Sequence, residues 1–324
     1  MDTRVLGRTG RKVSCIGLGA WQIGDDWGNV PEDDARGVVR SALAAGITFI
    51  DTADVYGDGR SERIIGEVVD DSDVFVATKM GRRVEQRPEK YNPANFRAWT
   101  DRSRQLLDVD TLDLIQLHCP PDPVFDDDVV FDALDALVAD GTVRAYGVSV
   151  ETCAQALLAI GRDGVSSVQI ILNCFRQKPL DEVLPAAQAA GVGIIARVPL
   201  ASGLLSGRYD ESTTFPKDDH RTFNRYGESF DVGETFAGVP YEVGVAAARE
   251  LAPLVPDGAS MAQFALRWII DQPGVTTVIP GARSGDQVSA NAAAAELAPL
   301  TYEQRAGVRD VYDRLIRPHV HHRW

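Results

Sequence analysis

Short apolar runs, rich in β-branched residues, alternate along almost the whole chain with stretches whose apolar positions recur at helical spacing. The runs predict strands at 15–18, 48–51, 74–79, 113–118, 146–150, 168–172, 193–198 and 276–279. Most are unbroken rather than alternating, the pattern of parallel strands covered on both faces. Between them, Ala35, Val38, Val39, Ala42 and Leu43 form one apolar stripe. Pro31, Glu32 and Asp33 open it and Gly46 stops it. Val130, Leu134, Leu137 and Val138 form a second stripe, ended by Gly141. Thr152 with Gln155, and Ser260 with Gln263, have capping-box spacing ahead of further helices.

Strands alternating with helices imply right-handed βαβ units around a parallel sheet. Eight such units in one chain predict an α/β fold, a single (β/α)₈ barrel of the TIM type spanning 1–324, with a doubly wound open sheet as the alternative. Two pieces lie outside the repeat. Residues 5–14, with Thr9-Gly10 at their centre, read as an N-terminal β-hairpin able to plug the bottom of a barrel. Residues 207–241 form a long polar connection with extra short helices or loops, and a connection of that length is usually functional.

Composition narrows the setting. With 33 basic against 47 acidic residues the net charge is −14, which repels phosphate backbones and argues against a nucleic-acid partner. Lysine occurs only at positions 12, 79, 90, 178 and 217, and an acidic, lysine-poor surface suits a high-salt cytoplasm. No apolar run approaches the roughly 20 residues needed to cross a bilayer, and the first residues lack a signal core, so a cytoplasmic protein without a membrane partner is expected. Cys15, Cys119, Cys153 and Cys174 have neither metal nor disulfide spacing and read as buried hydrophobes. No metal site is expected, including at His319, His321 and His322, where no cysteine or carboxylate joins at ligand spacing. The tail with Trp324 is expected to close over a barrel face or pair with another subunit; monomer and homo-oligomer both stay open.

Barrel active sites gather at the carboxyl ends of the strands. Those ends carry Asp51, Lys79 and His118 on three successive strands, with Tyr56 in the loop above Asp51. Each alone has a bland reading: a loop cap, a snorkelling lysine, a core histidine. Together they suit carbonyl reduction. A phenol, with a reference pKa of about 10, is a slow proton donor, and an adjacent ammonium is expected to lower it. Asp51 would keep Lys79 charged, and His118 would orient the carbonyl oxygen or relay a proton. No side chain supplies a hydride, so a cofactor must.

Asp51-Thr52-Ala53-Asp54-Val55-Tyr56-Gly57, followed by Ser61-Glu62 and Gly66, closely resembles the signature of the aldo-keto reductases, and the resemblance runs the length of the chain. It implies a catalytic tetrad of Asp51, Tyr56, Lys79 and His118, with Tyr56 as general acid, and NADP(H) as cofactor, NAD(H) being left open. It further implies that Gly19, Ala20 and Trp21 lie on the nicotinamide side and that Ser149 and Gln169 bind the carboxamide. Val150 departs from the family's common Asn. Pro199, Leu200, Ser202, Gly203 and Leu205 resemble the pyrophosphate-wrapping segment, and Gly281, Arg283, Gln287 and Asn291 the adenosine end. There Arg283 and a helix starting near Ser284 would hold a 2′-phosphate. Arg197 replaces the family's stacking aromatic, and its charge is expected to disfavour the oxidised nicotinamide ring. Trp21 and Trp27 are expected either to wall the substrate pocket or to pack in the core. The substrate implied is a small aldehyde or ketone, or the matching alcohol. The competing readings are a non-enzymatic, cofactor-sensing subunit resembling potassium-channel β subunits, and a Schiff-base lyase using Lys79, which a paired Asp51 disfavours.

Overall fold

The computed structural model describes residues 1–24, 30–70 and 73–324; Trp27, expected as a pocket wall, lies outside them. Among the described residues two strands, β1 (Thr3–Val5) and β2 (Lys12–Ser14), pair antiparallel. Eight more run parallel in chain order: β3 (Leu18–Gly19), β4 (Phe49–Asp51), β5 (Phe75–Met80), β6 (Leu114–His118), β7 (Tyr146–Ser149), β8 (Val165–Ile171), β9 (Gly193–Arg197) and β10 (Val275–Val278). Helices separate the barrel strands, as the apolar stripes require.

The seam between β10 and β3 decides between barrel and open sheet. Parallel bridges join Ile16 to Val278 and Gly19 to Gly281. The Gly17 amide donates to the Val278 carbonyl at 2.8 Å, and the Val278 amide to the Cys15 carbonyl at 3.1 Å. The sheet therefore closes on itself, and the open-sheet alternative falls. Backbones lie so near on both sides of β3 that a Cβ on Gly17 would sit 2.9 Å from the carbonyl oxygen of Phe49 on β4, and one on Gly19 2.8 Å from that of Ile279 across the seam. This is the physical reason for Gly-x-Gly here.

Inside the barrel Phe49, Phe75, Ala77, Leu114, Ala145, Ile195 and Ile279 form one apolar cluster, and the hairpin adds Leu6 and Val13 to it from below. The plug spans 3–14, with a short 3₁₀ turn at Gly7–Thr9 closed by left-handed Gly10. Its arginines fasten it: Arg4 donates to the Val275 and Ile270 carbonyls, and Arg8 to those of Arg162, Asp163, Val165 and Ala190.

The helix Glu32–Ala44 follows its stripe, and both expected capping boxes form, at Thr152 with Gln155 and at Ser260 with Gln263. The second stripe stops at Leu137, because Val138 is exposed. All four cysteines are buried, though outside the strands. No helix among the described residues is long and apolar enough to cross a membrane.

Candidate active site

Parallel pairing sets the register of the strand ends: Lys79 lies beside Gln116, His118 beside Ser149, and Ser149 beside Gln169. These side chains crowd the carboxyl-terminal mouth. Lys79 Nζ donates to Asp51 Oδ1 at 2.6 Å, to the Thr52 carbonyl at 2.8 Å and to the Tyr56 hydroxyl at 3.2 Å. An ammonium has three N–H donors, and all three are used. The other oxygen of Asp51 accepts from Gln116 Nε2 at 3.1 Å and Gln169 Nε2 at 2.8 Å. Tyr56 is delivered by a turn in which Gly57, Asp58 and Gly59 all have positive φ. The His118 ring stands edge-on to Tyr56 at 6.0 Å, and its Nδ1 is buried with no hydrogen-bond partner among the described residues.

Burial and charge fix the protonation states. Burial disfavours the Lys79 ammonium, but Asp51 and Tyr56 outweigh it, holding its pKa above the ordinary value. Burial, with Arg82, Lys79 and Arg197 adding repulsion, pushes His118 well below its ordinary value and keeps the ring neutral. Tyr56 corrects an expectation. Burial raises its phenol more than Lys79 lowers it, and Asp51 adds to the rise, so the hydroxyl keeps its proton at neutral pH. What the arrangement offers is a protonated phenol, with an ammonium in place to stabilise phenolate once the proton leaves.

The remaining signature residues brace this corner. Ser61 Oγ accepts from the Thr52 hydroxyl at 2.8 Å and donates to the Ala20 carbonyl at 3.2 Å; Thr78 donates to Glu62 at 2.6 Å. A Cβ on Gly66 would collide with the Leu107 carbonyl at 2.6 Å, so the helix Arg60–Val68 packs closely only because position 66 is glycine.

The residues expected to hold a cofactor lie around the same rim. Gly19 ends β3, the Ala20 amide donates to the Asp51 carbonyl at 2.8 Å, and Trp21 stacks at 6.1 Å from Tyr56. Ser149 and Gln169 are buried neighbours, though the Gln169 amide nitrogen is already spent on Asp51 and Gln116. After Pro199 and Leu200 the backbone turns sharply, with φ 53° at Ser202 and 97° at Gly203. There the Gly203 and Leu205 amides both close on the Leu200 carbonyl. Ser202 Oγ accepts from the Phe236 amide at 3.0 Å and donates to the Glu234 carbonyl at 3.2 Å, tying this segment to the long loop. Gly281 lies at the seam, where Asn291 Nδ2 donates to its carbonyl at 3.3 Å. The helix Gly285–Ala293 starts at the Ser284 cap, with exposed Arg283 just before it and the Arg283 amide donating to Gln287 at 2.7 Å.

Arg197 differs from expectation. Its guanidinium reaches Glu151 Oε2 at 2.8 Å and Glu234 Oε1 at 3.7 Å, while Arg82 reaches Glu151 Oε1 and Glu234 Oε1, each at 3.0 Å. Two carboxylates pair with two guanidiniums, so the charge of Arg197 is shared with Glu151 and Glu234 rather than standing alone. Arg82 and Glu151 follow strands β5 and β7 closely and were open to the strand-end argument. Glu234 lies in the long loop, where the sequence carries no signal for it.

Residues 15–313 match the model of the aldo/keto reductase family. An uncharacterized oxidoreductase of Mycobacterium tuberculosis is 34% identical over 95% of this chain and 91% of its own length. The structure of a glycerol dehydrogenase from Gluconobacter oxydans superposes with a TM-score of 0.79 at 32% identity, covering 99% of this chain and 96% of that one. An aldo/keto reductase from Klebsiella pneumoniae, solved with NADP and acetate, superposes at 0.69 with 25% identity, covering 96% and 95%. The barrel, the signature around the Asp51–Lys79 pair and these matches agree: the chain is an oxidoreductase belonging to the aldo/keto reductase family.

Proposed function

We propose that this chain interconverts small aldehydes or ketones and the matching alcohols with NADP(H), and that Tyr56 is its general acid. One observation carries the reading: the Lys79 ammonium divides its donors between Asp51, the Thr52 carbonyl and the Tyr56 hydroxyl. When bound, NADPH supplies the hydride. Tyr56 gives its proton to the carbonyl oxygen as negative charge develops there. Lys79, held charged by Asp51, stabilises the phenolate left behind. Neutral His118 orients that oxygen without competing as an acid.

The fold offers a fitting cradle for the dinucleotide. Positive φ at Ser202 and Gly203 turns the backbone where the pyrophosphate segment is expected. At Gly281 the missing side chain leaves room that the Gln22 carboxamide occupies, 2.1 Å from where a Cβ would stand. Arg283 beside the start of the helix Gly285–Ala293 supplies a guanidinium and a helix N-terminus for a 2′-phosphate, which supports NADP(H) over NAD(H). The NADP-bound Klebsiella relative fits the same reading.

Tyr56→Phe tests it. Aldehyde-dependent NADPH oxidation should fall by about 10²–10⁴-fold, while NADPH affinity from fluorescence titration stays near wild type. Near-normal kcat in the variant would remove Tyr56 from the acid role. Absence of multiple turnovers in the wild type would favour a cofactor-sensing regulator.

A further inference from the structure

Gln116 interrupts the apolar run of β6, Leu114-Ile115-Gln116-Leu117, and its side chain is fully buried. A buried amide costs free energy that an aliphatic side chain of similar length would not, unless its hydrogen bonds are made. Here they converge on Asp51. Gln116 Nε2 donates to Asp51 Oδ2 at 3.1 Å, and Gln116 Oε1 accepts from Gln169 Nε2 at 3.2 Å. Gln169 Nε2 in turn reaches the same Asp51 oxygen at 2.8 Å. We propose that Gln116 is a positioning residue for the reaction. It holds the Asp51 carboxylate with Oδ1 toward Lys79, and by drawing charge to Oδ2 it sets how far Lys79 supports the Tyr56 phenolate. The proposal rests on the reductase reading above and adds to it a residue that acts through Asp51 and Lys79.

The sheet register is the first support. Gln116 is the β6 partner of Lys79, so backbone pairing keeps it beside the residue that carries the ammonium. On its other side it pairs with Gly147 of β7, which has no side chain, and the Gln169 side chain from β8 meets it across that strand. Asp51, Gln116 and Gln169 thus close a ring of three hydrogen bonds, each residue bonded to the other two. An ionised carboxylate only accepts, so both amides present nitrogen to it, and the direction of each bond follows.

Charge is the second. Lys79 Nζ lies 2.6 Å from Asp51 Oδ1 and 3.2 Å from the Tyr56 hydroxyl, so carboxylate and phenolate compete for one ammonium. The Asp51 charge works against ionisation of Tyr56 and raises its phenol. Two amide N–H dipoles on Oδ2 offset part of that charge without adding a charge of their own, which leaves more of the ammonium's field for the oxygen that loses its proton. Without the Gln116 donor the carboxylate draws Lys79 harder, and the phenol becomes a weaker acid.

Two variants test this. Gln116→Met keeps the length and removes the donor; Gln116→Glu donates only while its carboxyl is protonated. The readout is the single-turnover rate of NADPH oxidation with benzaldehyde. In Gln116→Met the rate should fall by about tenfold, the order of one hydrogen bond to a charged group, and its solvent deuterium isotope effect should rise as proton transfer becomes more limiting. Aldehyde KM and NADPH affinity from fluorescence titration should stay near wild type. In Gln116→Glu the rate should approach wild type at acid pH and fall as the introduced carboxyl ionises against Asp51, a limb absent from the wild-type profile. A wild-type rate and isotope effect in Gln116→Met overturn the positioning role, as does a loss confined to KM or NADPH affinity. Failure of both variants to fold makes Gln116 a residue of structure alone and overturns it too. Each of these outcomes leaves the reductase reading standing, whereas a wild type that oxidises no NADPH with any aldehyde removes that reading.

Discussion

Asp54 and Lys79 are joined by a backbone hydrogen bond, the Asp54 amide donating to the Lys79 carbonyl at 3.1 Å, yet burial affects the two side chains very differently. Lys79 has a carboxylate and a phenol to offset its desolvation. Asp54 has neither oxygen partnered among the described residues, and burial together with nearby Glu62 pushes it to about 7, against attraction from Arg83, Arg102 and Lys79. Its folded pKa thus lies above the unfolded value, so the folded state binds the extra proton between roughly pH 4 and 7. Stability linked to Asp54 is complete below that window and is lost as pH rises through it. Asp54→Asn should cancel this loss, gaining on wild type by on the order of 4 kcal/mol between pH 4 and 8 in urea unfolding. A pH-independent difference between the two proteins would show that Asp54 is ionised throughout. At this scale the sequence was readable where chemistry follows strand ends, as at Asp51, Lys79 and His118. It misled on the direction of the Tyr56 phenol shift and gave no sign of the partners of Arg197, because burial and residues from distant loops set both.

Among the elements, the long connection after β9 is the one whose placement depends most on others. Inside, Glu234 meets Arg82, and Ser202 holds Phe236. Outside, the C-terminal residue secures it. Trp324 Nε1 donates to Asp231 at 3.1 Å, Arg176 lies 3.5 Å over the indole, and Arg176 also donates to the Ala237 carbonyl at 3.1 Å. Gly238, at φ 77°, is where the indole lands, since a Cβ there would lie 2.3 Å from the ring. Trp324→Ala removes a large buried side chain, a loss of about 3–5 kcal/mol when the site cannot collapse. Amide exchange at 231–238 should accelerate markedly while the barrel strands keep their protection; acceleration spread evenly over the strands would deny the tail this local role. The helices were legible because stripe and cap are local signals. The docking of Trp324 was not, because its partners lie far away in the chain.

For the whole molecule, 47 acidic residues face 33 basic ones, and the arginines are widely drawn into ion pairs, as where Arg36 bridges Glu32 and Glu67. A net charge of −14 repels itself across the surface, while partly buried pairs feel salt much less. Raising KCl from about 0.1 M to about 1 M shortens the screening length from about 10 Å to about 3 Å, so the melting temperature should rise by a few degrees. A fall over that range would mean that surface pairing outweighs net repulsion. The sequence by itself determined the strand–helix alternation, the helix caps and which side chains end the strands at Asp51, Lys79 and His118, because periodicity, capping and strand-end position act within a few residues. Closure at the Cys15–Val278 seam, the protonation of Tyr56 and the alternation of Arg82, Glu151, Arg197 and Glu234 were decided only by the tertiary structure. Burial and Coulomb energy depend on which distant segments meet in space, and a linear pattern does not carry that distance.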